Sequence, residues 1–328
     1  MDTKFLTIRT MVSSLTSPSD QTRLAALRHL RRLSNEDAAA RPLISAAGAV
    51  PFLSAALYSP SHPIQDHAAA TLLNLSISDR RPLLTSPNLP AALAHLLSRH
   101  ATSSAAAAVQ SAAATLHSLL AISAEFRPVI WTKPNILRPL VDIISYPNSP
   151  TRSVKDALKA SFGVALHPPS RVTLTQLGVV PALFALITRA KAKSDRTMLV
   201  GIIEDATAVI AQVAACEESE EAFKKVSGVS VLSMMLCSDS GSCSLRTKEN
   251  AVAALLNLVR CGSERVFGEV KVKIGALDGI TYVQEHGSPK GKSKAVAFLK
   301  LLLDGGSSGE VVQDLYPVDS ESCSSCSG

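Results

Sequence analysis

Asn74 and Asn257 are the residues of this 328-residue chain whose type and spacing first suggest a chemistry. Each stands at the same place in two nearly identical runs, QDHAAATLLNLS at 65–76 and KENAVAALLNLV at 248–259. A side-chain amide offers both a donor and an acceptor, which is what a peptide backbone demands. Related runs set in the same register give a column: Arg32, Asn74, Ser118, Gly163, Gln212, Asn257 and Lys300. One and two helical turns earlier on that face come Arg28, His67, Asp156, Lys159 and Asp205. These positions are the candidates for holding an extended peptide. One neutral hydrogen bond is worth only about 0.5–1.5 kcal/mol net. A ladder interrupted at Ser118 and Gly163 therefore needs its charged neighbours. The two amides could equally bond their own loops, and the sequence leaves both readings open.

Other chemistry is thin. Gly305-Gly306-Ser307-Ser308-Gly309 matches G-x-S-x-G, but a nucleophile elbow needs a strand before it and a helix after it, and this stretch sits in a Gly/Ser-rich tail. Cys323 and Cys326 have the spacing of half a zinc site with no second pair to complete four ligands. Cys326 also stands third from the end, so the terminus fails as a prenylation signal. Ser-Pro pairs at Ser17, Ser59, Ser86, Ser149 and Ser288 read as turn initiators. No catalytic, cofactor-binding or metal residue is assigned, and no cofactor is expected.

The elements that must carry the column are repeats. The alanine-rich runs end at 34, 76, 120, 165, 214, 259 and 302, so successive spacings are 42, 44, 45, 49, 45 and 43. Units of about 40–47 residues built of two or three helices belong to armadillo and HEAT arrays. Ahead of the long run come a short helix opened by Arg41-Pro42-Leu43-Ile44, Arg81-Pro82-Leu83-Leu84 or Arg127-Pro128-Val129-Ile130, and a medium apolar helix such as GAVPFLSAAL at 48–57 or GVVPALFALI at 178–187. Three helices per unit favour the armadillo plan. The fold expected is all-α: a right-handed armadillo superhelix of about seven units, partial at its ends, over 1–303, then a disordered acidic Ser/Gly-rich tail over 304–328. Neighbouring helices about 8–10 Å apart and a strand advancing about 6.6–6.8 Å per two residues let a peptide run along the column. The widest spacing places extra residues around 190–201, read as a basic surface loop.

Composition agrees. Aromatic residues are 4% and hydrophobic residues 46%, so the core must be Ala, Leu, Val and Ile from helices that approach closely. The net charge is +6, and residues 304–328 hold five acids and no Lys or Arg, leaving +11 (6 plus 5) on the body. Arginines 23, 28, 31 and 32 on the first long helix read as a polar cap for the end of the array. Scattered basic residues without aromatic stacking partners make nucleic acid an unexpected ligand. The N-terminus has no signal-like apolar core and no run reaches the ~18 apolar residues of a membrane span. A monomer of the cytoplasm or nucleus with reduced thiols is the expectation, its acidic tail able to fold back on the basic groove.

The runs KENAVAALLNL, KDALKASF, QDHAAATLLNLSI and KGKSKAVAFLKLLL resemble the armadillo region of plant U-box ubiquitin ligases, over roughly residues 6–303. In that family the array binds a substrate or regulator while a separate U-box recruits the ubiquitin-charged conjugating enzyme. The resemblance implies protein partners, such as ubiquitin ligases, their substrates or receptor kinases. Residue 1 sits at the first armadillo helix and nothing here resembles a U-box, so a non-catalytic scaffold is expected. The alternative is the substrate-recognition part of a ligase whose U-box is absent or supplied by a partner. Nuclear-import armadillo proteins carry tryptophan four residues before the asparagine. Here those positions are Arg28, Ala70, Ala114, Lys159, Ala208, Ala253 and Val296, while Trp131, the single tryptophan, falls in a short helix as a packing residue.

Overall fold

The computed structural model describes residues 3–78, 80–99, 106–120, 134–191, 196–237, 243–273 and 277–304. The Arg127–Ile130 motif, Trp131 and the tail from 305, with Gly305–Gly309, Cys323 and Cys326, lie outside them. Nineteen α-helices and no strand are found among the described residues. Helices α1 (Thr3–Ser14) and α2 (Asp20–Glu36) form a partial first unit. Complete triplets follow in α3 (Ala40–Ala46), α4 (Ala49–Ala56) and α5 (His62–Ser78), then α6 (Arg81–Leu84), α7 (Leu89–Leu97) and α8 (Ala106–Leu120). Next come α9 (Pro134–Ser145) and α10 (Thr151–Ala165), then α11 (Pro168–Gln176), α12 (Val179–Lys191) and α13 (Arg196–Val213). A 3-10 turn leads into α14 (Glu220–Lys225), α15 (Gly228–Cys237) and α16 (Leu245–Cys261), and α17 (Glu264–Lys273), α18 (Leu277–His286) and α19 (Pro289–Leu303) close the array. This is the armadillo architecture.

Local chemistry sets the ends of these helices. Ser19, Ser244 and Ser288 cap α2, α16 and α19 by accepting from the N–H groups of Thr22, Thr247 and Gly291. Gly48 and Gly178 turn the chain between the first and second helices of their units with φ of 80° and 83°, a left-handed conformation that a Cβ opposes. In the sixth unit the matching position is Ser227, at φ 51°, because the glycine sits one place later. Gly228 cannot exchange roles with it: a Cβ there would stand 2.7 Å from the ring of Phe223.

The seven long helices α2, α5, α8, α10, α13, α16 and α19 pack each against the next as a ladder. Small side chains permit it: Ala68, Ala69, Ala112, Ala113, Ala157, Ala160, Ala206, Ala251 and Ala254 are fully buried. One continuous apolar core runs through all units. Much of the stretch read as a basic loop is helical: α12 runs to Lys191 and α13 starts at Arg196, while residues 192–195 lie outside the described set. Ala, Lys, Met and Leu favour helix, and no proline or glycine intervenes before Gly201. No single helix among the described residues is long and apolar enough to cross a membrane. Cys216, Cys237, Cys243 and Cys261 are free thiols. Burial and a bond to Glu218 push the Cys216 thiol up to about 11, which leaves it unreactive.

Arginines of the first helices tie the ladder together. Arg41 donates through Nε to the Ser34 carbonyl (2.7 Å), at the end of α2, and through Nη1 to Ser78 Oγ (2.9 Å), at the end of α5. Arg171, only 6% exposed, makes the corresponding pair three units later: Nε to the Ala165 carbonyl (2.8 Å) and Nη1 to the Ala215 carbonyl (3.2 Å). Each guanidinium thus bridges the C-terminal ends of two consecutive long helices, Arg41 through a carbonyl and a hydroxyl and Arg171 through two carbonyls. Replacing Arg171 by Met is expected to cost about 2–4 kcal/mol, because two charge-assisted bonds go and buried carbonyls remain; urea unfolding measures it. Ser227→Gly is expected to gain about 0.5–1 kcal/mol in the same assay by relieving the left-handed backbone.

Candidate peptide-binding groove

The column read from the sequence lies along the ladder, and its polar members fasten one rung to the next. Asn74 Nδ2 donates to Ser34 Oγ on α2 (3.0 Å), and Asn257 Nδ2 donates to the Ala211 carbonyl on α13 (2.8 Å). Ser118 Oγ donates to the Ser76 carbonyl of α5 (2.9 Å). Gly163 is buried, and a Cβ there would stand 3.2 Å from Leu120 Cβ, so it serves close approach of α10 to α8. The amides therefore bond the preceding long helix rather than their own loops. Gln212 is half-buried in the column, and Arg32 and Lys300 are exposed at its two ends.

At the N-terminal end the structure brings several predicted residues together. Arg28, Arg31, Arg32, Glu36, His67 and Asn74 line a hollow of about 460 Å³ between α2 and α5, with Ser111 of α8 beyond. Ala70, at the position where import receptors hold tryptophan, leaves this space open. Arg31 Nη1 approaches His67 Nδ1 at 3.2 Å. A guanidinium only donates, so Nδ1 accepts and the ring carries its proton on Nε2. Burial, with Arg31 and Arg28 adding repulsion, lowers the His67 pKa and keeps the ring neutral.

Mid-groove, Asp156 and Asp205 are half-buried on α10 and α13, and burial raises both pKa values against the pull of Lys159. Lys159 itself is exposed, and among the described residues no ion pair joins it to either acid. His117, beside Ser118, is pushed down to about 4 by burial, then by Lys159 and Arg80.

Sequence reasoning placed Arg31 in the polar cap rather than in the groove, and missed His117 and Asn250. Asn250 stands in the register of His67, Asp156 and Asp205, which is the signal that could have found it. Its Nδ2 donates to the Glu204 carbonyl and to Thr207 Oγ1, both at 3.1 Å. One residue earlier lies a second column: Asp66, Gln110, Lys155, Glu204 and Glu249, eight before 74, 118, 163, 212 and 257. Its acids reach the start of the next long helix. Asp66 accepts from the Ala108 N–H, and Glu204 Oε1 accepts from Ser244 Oγ (2.6 Å). Glu249 takes both the N–H and the hydroxyl of Ser288. Acids at helix N-termini are favourable. Lys155 breaks the pattern, its Nζ lying against Gly201 in α13.

The depressed His117 pKa has a consequence for stability. Above about pH 6.5 folded and unfolded chains both hold the ring neutral, and stability is complete. As pH falls toward 4 the unfolded chain takes up a proton that the folded chain refuses, and stability is lost. Asp156 and Asp205, whose pKa values are raised, act in the opposite sense, so a difference between variants isolates the histidine. Between pH 7 and 4.5 the wild type is expected to lose about 1–2 kcal/mol more than His117→Asn, after allowing for solvent screening. Urea midpoints at the two pH values measure it.

A family model described as the plant U-box protein ARM repeat region matches residues 7–315. Among curated proteins, U-box domain-containing protein 16 of Arabidopsis thaliana is 27% identical over 275 residues, 83% of this chain and 38% of that protein. U-box domain-containing protein 38 of the same plant is 29% identical over 157 residues, 46% of this chain and 26% of that protein. U-box domain-containing protein 8 is 25% identical over 298 residues, 90% of this chain and 72% of its own length. The chain thus spans well under half of the first two. Among solved structures, the crystal structure of an engineered protein superposes with TM-score 0.73 at 21% identity, covering 90% of this chain and 68% of the other. A designed armadillo repeat protein superposes with TM-score 0.54 at 20% identity, covering 90% and 99%. With the repeat, the three-helix unit and the ladder in place, the match over 7–315 makes this chain a member of the family of plant U-box protein ARM repeat regions.

Proposed function

We propose that the chain is a non-catalytic interaction scaffold that holds an extended segment of a partner protein along the face of its long helices. The observation that carries this reading is the state of the groove charges. Lys159 stands exposed beside two half-buried carboxylates without closing on either. A peptide backbone and a charged side chain can therefore enter without breaking an existing ion pair. Arg28, Arg32, Gln212 and Lys300 extend the same row of polar groups from the first long helix to the last. Each amide contributes its carbonyl oxygen and its second N–H, since one N–H of each already holds the ladder.

A link to ubiquitin-dependent signalling is supported by the relatives, which are named as U-box domain-containing proteins. In this reading the chain supplies recognition, with ligases, their substrates or receptor kinases as partners, in cytoplasm or nucleus. The second reading, substrate recognition within a U-box ligase, uses the same groove and differs only in what is joined to it.

A displayed library of unmodified twelve-residue peptides tests the groove. Selected peptides are expected to lose about tenfold in affinity on Lys159→Glu, since one charge-assisted contact becomes a repulsion. Phe52→Ala, on an exposed ring of α4 outside the groove, is expected to leave affinity unchanged. Fluorescence polarisation reads both. Equal affinity for wild type and Lys159→Glu would place binding elsewhere.

A further inference from the structure

The hollow at the N-terminal end of the ladder has a charge that the peptide-scaffold reading does not require. Three guanidinium groups, Arg28, Arg31 and Arg32, line it with one carboxylate, Glu36, so three positive charges less one leave two. The three arginines are spaced i, i+3 and i+4, which puts them on one face of α2. Arginine in a folded protein ordinarily meets a carboxylate, as Arg23 meets Asp20 on the same helix. None of these three is in an ion pair among the described residues; their bonds go to histidines, Arg31 to His67 and Arg32 to His29. All three side chains line the hollow with N–H donors that no carboxylate among the described residues takes up. His67, accepting at Nδ1, has its second nitrogen left as a donor. The nearest acid of α5, Asp66, accepts from the Ala108 N–H and is close enough for its charge to act on His67 and Arg31, but it forms an ion pair with neither.

The ligand that matches such a site is a compact dianion with several acceptor oxygens. A carboxylate carries one charge and leaves the hollow positive. A phosphoserine or phosphothreonine carries about −1.5 to −2 and three acceptor oxygens, and arginine forks suit phosphate geometry. The volume of about 460 Å³ exceeds what a carboxylate needs. Asn74, on the hollow's wall, begins the run of groove residues that leads toward Ser118 and Lys159, so a chain seated in the groove can lay one side chain into the hollow. Ala70 supplies the room.

We infer that the Arg28/Arg31/Arg32/His67 hollow is a phosphoresidue pocket, which reads a phosphorylated serine or threonine in the peptide segment held by the groove. The inference rests on the scaffold reading for the peptide and on the hollow for the phosphate, and its test separates the two. Degenerate nonapeptide pools with phosphoserine, glutamate or serine fixed at the centre are passed over the immobilised chain, and retention is quantified by mass spectrometry. The phosphoserine pool is expected to be retained at least tenfold over the serine and glutamate pools. Arg28→Gln with Arg31→Gln should abolish that preference while circular dichroism and Tm stay unchanged, because both side chains are exposed. Lys159→Glu should lower retention of every pool. Equal retention of all three pools, still sensitive to Lys159→Glu, overturns the pocket and keeps the groove. Retention of the phosphoserine pool that ignores Lys159→Glu and is fully displaced by free phosphoserine overturns the groove's part in it. Glutamate matching phosphoserine, or the arginine variant keeping the preference, overturns the pocket, and retention of no pool overturns both.

Discussion

The structure depends on how the polar ends of stacked helices are satisfied when one packs flush against another. Seven long helices laid side by side bring their last carbonyls and first N–H groups to the two edges of the ladder, where a neighbour shields them from water. A buried backbone group left without a partner costs free energy comparable to a lost hydrogen bond. The chain answers at both edges with side chains that cross between units. At the carbonyl edge, Arg41 and Arg171 each span two consecutive long helices. At the N–H edge, Asp66, Glu204 and Glu249 reach forward to the next helix or its capping serine. Between the edges, Asn74, Ser118, Asn250 and Asn257 bond backward to the preceding rung. Alanine packing supplies the attraction, and these bonds fix the register.

Much of this was legible in the sequence. The period and the alanine-rich run defined the long helices because a buried helix face repeats its residue types wherever the same neighbour recurs. Gly48 and Gly178 marked the turn between short and medium helices for a backbone reason that only glycine meets cheaply. Within 190–201, residues 190–191 and 196–201 were read as loop because basic, polar composition suggests one, whereas helix propensity decided and they end α12 and begin α13. Ser227 was invisible as a strained position, since the adjacent Gly228 satisfies the pattern by eye while the backbone needs it one residue earlier.

The candidate site was legible by position and not by state. Register placed Asn74 and Asn257 on the ladder face, and they are there. Register cannot say whether an amide N–H points outward or is held by a carbonyl 2.8 Å away on the preceding long helix, as for Asn257. That depends on the distance between rungs, which small residues such as Gly163 set from elsewhere in the chain. The hollow is similar: it exists because Ala70 and Ser111 are small opposite Arg28, Arg31 and Arg32, three residue types in three different units. No local pattern encodes that coincidence.

Fastening the units also determines what a ligand meets. Acids of the ladder are turned inward, either onto the next helix, as Glu204 and Glu249, or into half-buried positions where desolvation raises their pKa, as Asp156 and Asp205. Cations at neighbouring positions, Arg28, Arg32, Lys159 and Lys300, stay exposed. Basic side chains with long apolar stems can cover packed alanines while keeping their charge in water, whereas a short carboxylate on the same face must find a donor or be desolvated. The groove is therefore more positive than the count of its residues suggests. A partner that enters it exchanges solvent for guanidinium and ammonium donors rather than for carboxylates, so the bonds that hold the rungs together also set the polarity of the face that binds.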